Sequence, residues 1–194
     1  MNSELSAPLA PAALRALPAW LRIPSSILLG TAFLALCAHV SIPLWFTPVP
    51  LTLQPFGVLV LGLLLSPRLA SGTVLAYLAE GALGLPVFTP GAAPMAGLAH
   101  LLGPTGGYLL AYPVAALLIA LLSRRLGRSF PANLASAAIG DLVILVCGAL
   151  WLAASTHLTA QAALALAVMP FLPGDALKVA AAAAITSGWQ RLRR

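Results

Sequence analysis

Residues 106–128 read GGYLLAYPVAALLIALLSRRLGR. The first 18 of them, 106–123, carry no charge, and the run then breaks into Arg124, Arg125 and Arg128. A helix needs about 20 apolar residues to cross a bilayer, and somewhat fewer when it is buried among others. Arginines gathered at one end of such a run mark the side that stays in the cytoplasm. The stretch reads as a membrane helix whose C-terminal end faces inward.

The remainder of the chain has the same character. Its 194 residues are 61% hydrophobic and 7% charged, with a mean hydropathy of +1.01. Soluble domains carry about 25% charged residues, so this chain cannot cover a water-facing surface and is an integral membrane protein. The net charge of +6 does not indicate nucleic acid, because no aromatic–basic interleaving accompanies the arginines. Cys37 and Cys147 lie in apolar runs without CxxC or Cys/His spacing, which gives neither a disulfide framework nor a metal site. Residues 1–23, rich in Ala and Pro, read as a cytoplasmic N-terminal tail rather than a cleaved signal, because the first long apolar stretch is followed by more of the same.

Six apolar segments qualify as crossings: about 25–44, 52–66, 69–85, 106–123, 133–156 and 174–190. With the N-terminus inside, Arg15, Arg22, Arg68, Arg124, Arg125, Arg128, Arg191, Arg193 and Arg194 all fall on the cytoplasmic side. The three outer loops, about 45–51, 86–105 and 157–173, hold no Lys or Arg. A miscount by one helix would destroy this sorting. The expected architecture is all-α: residues 24–194 form a single six-helix membrane domain with both termini cytoplasmic and a pocket near the external side.

The second outer loop, with LPVFTPGAAPMAGLAHLLGPTGG at 85–107, has four prolines and five glycines in that stretch. It cannot be a spanning helix, and non-helical backbone at a membrane is tolerated where protein covers it or it lines a cavity. It reads as a lid. The third outer loop contains AQAALALAVMPFL, enough for a short helix near the outer surface.

Below that loop the chain reads PFLPGDALK at 170–178. Pro173 and Asp175 make a good helix start, proline fitting the first turn and an acid favouring the positive end of the helix dipole. Asp175 and Lys178 are i and i+3 and share a face. Two readings stand. In one, Asp175 merely caps the helix and Lys178 snorkels outward or pairs with it. In the other, ionisable groups this close to the membrane interior form a ligand site, with Asp175 accepting N–H bonds and Lys178 neutralising a carboxylate. Glu80, near the outer end of the third span, either bonds into the lid or reaches water. Asp141, in the inner half of the fifth span, reads as a helix–helix hydrogen bond on the opposite side from Asp175. His39 and His100 read as satisfied polar residues. Trp45 and Trp151 suit the outer interface and Trp189 the inner one.

The motifs VPLTLQPF (49–56), GALGLPVF (81–88), GPTGGY (103–108) and PFLPGDALK (170–178) occur in that order. Together they resemble the BioY family, the biotin-specific S components of energy-coupling factor (ECF) transporters, over about 24–190. The resemblance implies the ECF S-component fold in a prokaryotic cytoplasmic membrane, with biotin held under the loop after LPVF. It implies that Asp175 receives the ureido N–H groups and Lys178 faces the valerate carboxylate. Phe88, Tyr108 and Trp151 would pack the rings, Gln54 and Thr105 would supply pocket hydrogen bonds, and Gly106 is counted with them. Backbone N–H groups of 89–107 would meet the ureido oxygen. After LPVF the family is usually very rich in glycine, whereas this chain has TPGAAPMAG with Pro90 and Pro94. The resemblance further implies partners, a transmembrane coupling subunit and two ABC-type ATPases, because this chain has no Gly-x-x-x-x-Gly-Lys-Ser/Thr motif of its own. Gly30, Thr31, Ala32, Ala35 and Ala38 on the first helix serve either docking of that subunit or packing within the chain. No cofactor, metal or catalytic residue is expected.

Two alternatives belong to the same reading. One is an S component for another small vitamin. The other is an intramembrane aspartyl protease using Asp141 and Asp175; the chain has no Tyr-Asp, and Asp141 follows Ala138-Ile139-Gly140 rather than a Gly-x-Gly segment.

Overall fold

Proline sets where half of the helices begin. In the computed structural model, which describes residues 18–90 and 97–192, Pro55, Pro67, Pro131 and Pro173 each occupy the first turn of a helix. A proline there removes an N–H that has no partner anyway. The elements are α1 (Ala19–His39), β1 (Ser41–Ile42), β2 (Leu51–Thr52), α2 (Gln54–Leu64), α3 (Pro67–Ala82), α4 (Leu98–Leu102), α5 (Gly106–Arg125), α6 (Phe130–Thr156), α7 (Ala160–Ala167) and α8 (Leu172–Arg191). Residues 1–17, which include Arg15, lie outside the described residues. So do lid residues 91–96 with Pro94, and Arg193 and Arg194.

A helix occupies each of the six expected segments, and the short outer helix is α7. Three boundaries differ. The first helix begins at Ala19, inside the segment assigned to the tail, with Pro24 near its start. It ends at His39 rather than 44, because residues 41–52 fold back as a hairpin with Ser41 paired to Thr52 and Ile42 to Leu51. The fifth helix begins at Phe130, where Ser129 Oγ accepts from Ala132 N at 3.4 Å.

By length and composition α1, α5 and α6 can each cross a membrane, and α7 with α8, bent by 53° at their junction, passes the same test as a pair. The protein is therefore a multi-pass membrane protein. Helix α2 has only 11 residues, about 16 Å at 1.5 Å per residue, half the hydrocarbon thickness. The hairpin before it consequently lies part-way along the bundle, short of the ends of the longer α5 and α6. Outward faces are as apolar as inward ones: Leu142, Val146 and Leu150 on α6 are 59%, 45% and 66% exposed, which suits lipid rather than water.

Helix α5 is the central one, packing against α2, α3 and α6. Close approach depends on small residues facing large ones. Ile119 of α5 is wedged between Gly62 of α2 and Gly140 of α6, where a Cβ on either glycine would overlap it. On α1, Gly30, Thr31 and Ala38 are buried and Ala32 is exposed, and a Cβ on Gly30 would strike Thr73 of α3. That stripe is used largely for packing within the chain.

One end of the bundle is closed by hydrogen bonds. Asn133 accepts from Ser123 Oγ at 2.6 Å and donates to Ser187 Oγ at 2.9 Å and Gln190 Oε1 at 3.1 Å. Gln190 Nε2 donates to the Leu63 carbonyl at 3.3 Å. The C-terminal ends of α2, α5 and α8 and the start of α6 meet here. Arg124, Arg125, Arg128 and Arg191 lie at this end, and the tight α2–α3 link puts Arg68 there too. Gly57, early in α2, packs on Leu34 and Cys37, late in α1. The two helices are thus antiparallel, and Arg22 joins the other arginines.

Candidate functional site

At the opposite end, the hairpin, the loop around α4, and α2, α5, α6 and α8 enclose a cavity of about 300 Å³, at the lower edge of typical small-molecule sites. Its lining is mainly apolar, with Val49, Leu109, Ile144, Leu145 and Phe171 among proline and tyrosine side chains. Charged groups in it are few. Lys178 Nζ donates to Asp175 Oδ1 at 2.7 Å, and the two residues are 7% and 4% exposed. Asp175 enters because α8 starts at Leu172 after the sharp bend, with Gly174 against Leu51 of the hairpin. Of the cap-and-snorkel reading, the pairing of Lys178 with Asp175 is observed, but the pair is buried and lines a cavity rather than snorkelling outward.

Such a pair is costly to bury and holds together only by strong mutual attraction. Lys178 has three N–H donors, and Asp175 uses one oxygen for the ion pair. The pair still offers N–H groups and a carboxylate oxygen to a ligand.

Gln54, Thr105 and Tyr108 also line the cavity. Gln54 donates from Nε2 to Tyr77 Oη at 2.8 Å, and its Oε1 accepts from Thr89 Oγ1 at 3.1 Å. Tyr77 Oη donates in turn to the Val87 carbonyl at 2.8 Å. This relay fixes the start of the lid to the cavity wall. Tyr108 Oη donates to the Ala167 carbonyl at 2.6 Å, and Thr47 Oγ1 donates to the Leu166 carbonyl at 2.9 Å. Together they tie down the end of α7.

Phe88, Trp151 and Gly106 are placed elsewhere. Phe88 rests on Gly81, where a Cβ would overlap its ring, between the rings of Tyr77 and His100 with centroids 5.5 and 5.0 Å away. Trp151 Nε1 donates to the Gly103 carbonyl at 2.9 Å. Gly106 lets the Leu101 carbonyl approach where a Cβ would collide. These three fasten the two ends of the lid instead of lining the cavity. The LPVF and GPTGG segments are, physically, anchor points.

The position expected for Asp141 is corrected. It faces the same cavity as Asp175 and Lys178, is 6% exposed, and its Oδ1 has no hydrogen-bond partner among the described residues. The short α2 and the hairpin before it explain the difference, because the cavity extends part-way along the bundle as far as Asp141. The adjacent Gly140 packs on Ile119, 13 residues into α5, about 20 Å along the helix. His100, Tyr112 and Phe171 also line the cavity without having been expected there. Glu80 is half-buried and does not line it. His39 Nδ1 bonds the Ala35 carbonyl at 2.8 Å. Among the described residues no His, Cys, Asp and Glu cluster could hold a metal ion.

The fold and the motifs have close counterparts. The chain matches the BioY family profile over residues 12–194. It is 40% identical over 166 residues to the "Probable biotin transporter BioY" of Pyrococcus horikoshii, covering 86% of this chain and 94% of that protein. It is 37% identical over 153 residues to the "Biotin transporter BioY2" of Lactococcus lactis, covering 78% and 81%. Among solved structures it is similar to the S-component for biotin from an ECF-type ABC transporter, with a TM-score of 0.81, 28% identity, and 91% and 95% of the two chains covered. With the profile match extending from the N-terminal segment to the last residue, the chain belongs to the BioY family.

Proposed function

We propose that this protein is the biotin-binding S component of an ECF-type importer in a prokaryotic cytoplasmic membrane. In this reading the chain crosses the membrane six times, the short α2 together with the hairpin before it making the second crossing, both termini are cytoplasmic, and the cavity opens outward. The observation that carries it is the buried Asp175–Lys178 pair in an apolar cavity at the arginine-free end. Biotin has ureido N–H donors, an apolar thioether ring and an acid tail, and the cavity offers a complement to each. Asp175 accepts the ureido N–H groups. Lys178, in contact with Asp175, swings on its flexible stem to meet the carboxylate, so one carboxylate replaces another as its partner. Tyr108, Gln54 and Thr105 complete the polar wall. Backbone N–H groups of the lid meet the ureido oxygen.

The chain binds rather than catalyses, and the work of import falls to a transmembrane coupling subunit and two ABC-type ATPases. Asp141 and Asp175 facing one cavity satisfies a geometric need of the aspartyl protease alternative. However, the chain has no Tyr-Asp, and Asp141 follows Ala138-Ile139-Gly140 rather than a Gly-x-Gly segment. Uptake of labelled biotin by cells lacking other biotin transport tests the proposal. Uptake that requires this chain, rises when the coupling module is co-expressed, and is blocked by excess biotin but not by other vitamins supports it. Uptake of a different vitamin, or none from a protein shown to be folded in the membrane, rejects it.

A further inference from the structure

The cavity holds more negative charge than the ion pair can balance. Asp175 and Lys178 neutralise each other, and Asp141 remains: it lines the same cavity, and its Oδ1 is buried without a hydrogen-bond partner among the described residues. Other titratable groups line the cavity from three of the elements around it. Helix α5 presents Tyr108 and Tyr112, α8 presents Asp175 and Lys178, and the lid presents His100. Helices α2 and α7 contain no titratable side chain, and Cys147 lies on α6 itself. One lysine therefore stands against two carboxylates before any ligand arrives, and against three once an acid enters. In the empty cavity, open to water, Lys178 offsets part of the charge of both carboxylates; a ligand carboxylate that engages Lys178 and fills the cavity leaves Asp141 an isolated buried charge, and such a group neutralises rather than remain charged. No second lysine or arginine lines the cavity.

We infer that loading the cavity with an anionic ligand takes up one proton, and that Asp141 receives it. The proton cancels the surplus charge and gives Asp141 an O–H to donate, supplying the partner its carboxyl lacks in the empty site. The inference rests on the biotin reading only in that the ligand carries a carboxylate. One proton taken up makes affinity fall as pH rises, by at most about tenfold per pH unit.

The test is titration calorimetry of biotin into the full-length protein in buffers of different ionisation enthalpy, from about pH 6 to pH 9, where perturbed carboxyls titrate. The buffer dependence of the heat counts protons directly. The wild type is expected to take up as much as one proton, with affinity falling toward higher pH. Asp141→Asn is expected to take up none and to show a flat pH profile. Uncharged biotin amide is expected to lose most of the uptake in the wild type, a comparison that stands even where the variant fails to fold. Buffer-independent heats for wild-type biotin binding across the range overturn the inference while leaving biotin binding intact. So does undiminished uptake in Asp141→Asn, which would move the proton to His100. Absence of any biotin binding by folded wild type overturns the ligand reading and this inference with it.

Discussion

Replacing Lys178 by methionine isolates the energetics of the buried pair. Met preserves most of the stem and its packing but removes the ammonium that Asp175 Oδ1 contacts at 2.7 Å. Asp175 is 4% exposed, so it would be left a nearly dehydrated carboxylate without its partner. Removing one member of such a pair costs about 3–5 kcal/mol. At about 2–4 °C per kcal/mol for a chain of this size, the melting temperature falls by roughly 6–20 °C. The double variant Asp175→Leu with Lys178→Met removes both charges, and replacing a buried pair by apolar groups is often neutral or stabilising. It is expected to recover most of the loss while binding no biotin. The assay is thermal unfolding of the ligand-free protein in one detergent, with all variants at one pH. A single variant as stable as the wild type, or a double variant no better than the single, would refute the claim that the two charges are buried against each other.

Three further outcomes follow from the anchors. Gly81→Ala drives a methyl into the Phe88 ring; overpacking of this kind costs about 1–3 kcal/mol, and faster hydrogen exchange at 87–89 would report release of the lid. Gln54→Leu leaves Thr89 without its acceptor, an unmade buried bond of about 1–3 kcal/mol, and is expected to weaken ligand retention, read as a faster biotin off-rate. Asn133→Leu breaks three interhelical bonds. At about 0.6 kcal/mol each in a membrane, the loss is about 2 kcal/mol, visible as a lower melting temperature with biotin affinity unchanged, because the network is at the opposite end from the cavity.

Most of the fold was legible because membrane physics leaves few choices. Apolar runs broken by proline, and arginines confined to alternate ends, marked all six helices before any coordinates. What escaped depended on depth and on where loops run. Residues 19–23 read as tail, yet α1 begins at Ala19 and carries Pro24 in its second turn, where only one bond at the end of the helix is lost. The hairpin has only two paired positions because Pro43, Pro48 and Pro50 cannot donate, and so short a ladder leaves no alternating pattern to read. Asp141 was misplaced because a helix-by-helix count assumes full-length neighbours. The 11 residues of α2 bring the cavity floor down to it. Phe88 and Trp151 were read as ligand-facing because aromatic side chains in a motif serve ring packing and loop anchoring alike. Gly81, small and placed in a helix just before the LPVF turn, was the available signal that Phe88 packs backward onto α3.

The central claim is that Asp175 and Lys178 bind biotin from inside this cavity. Equilibrium titration of biotin into the purified protein, beside Asp175→Asn and Lys178→Ala, tests it most directly. Each lost charge-assisted bond is worth about 1.5–3 kcal/mol, so binding is expected to weaken by at least about tenfold in either variant. Tight biotin binding that is indifferent to both substitutions would contradict the account.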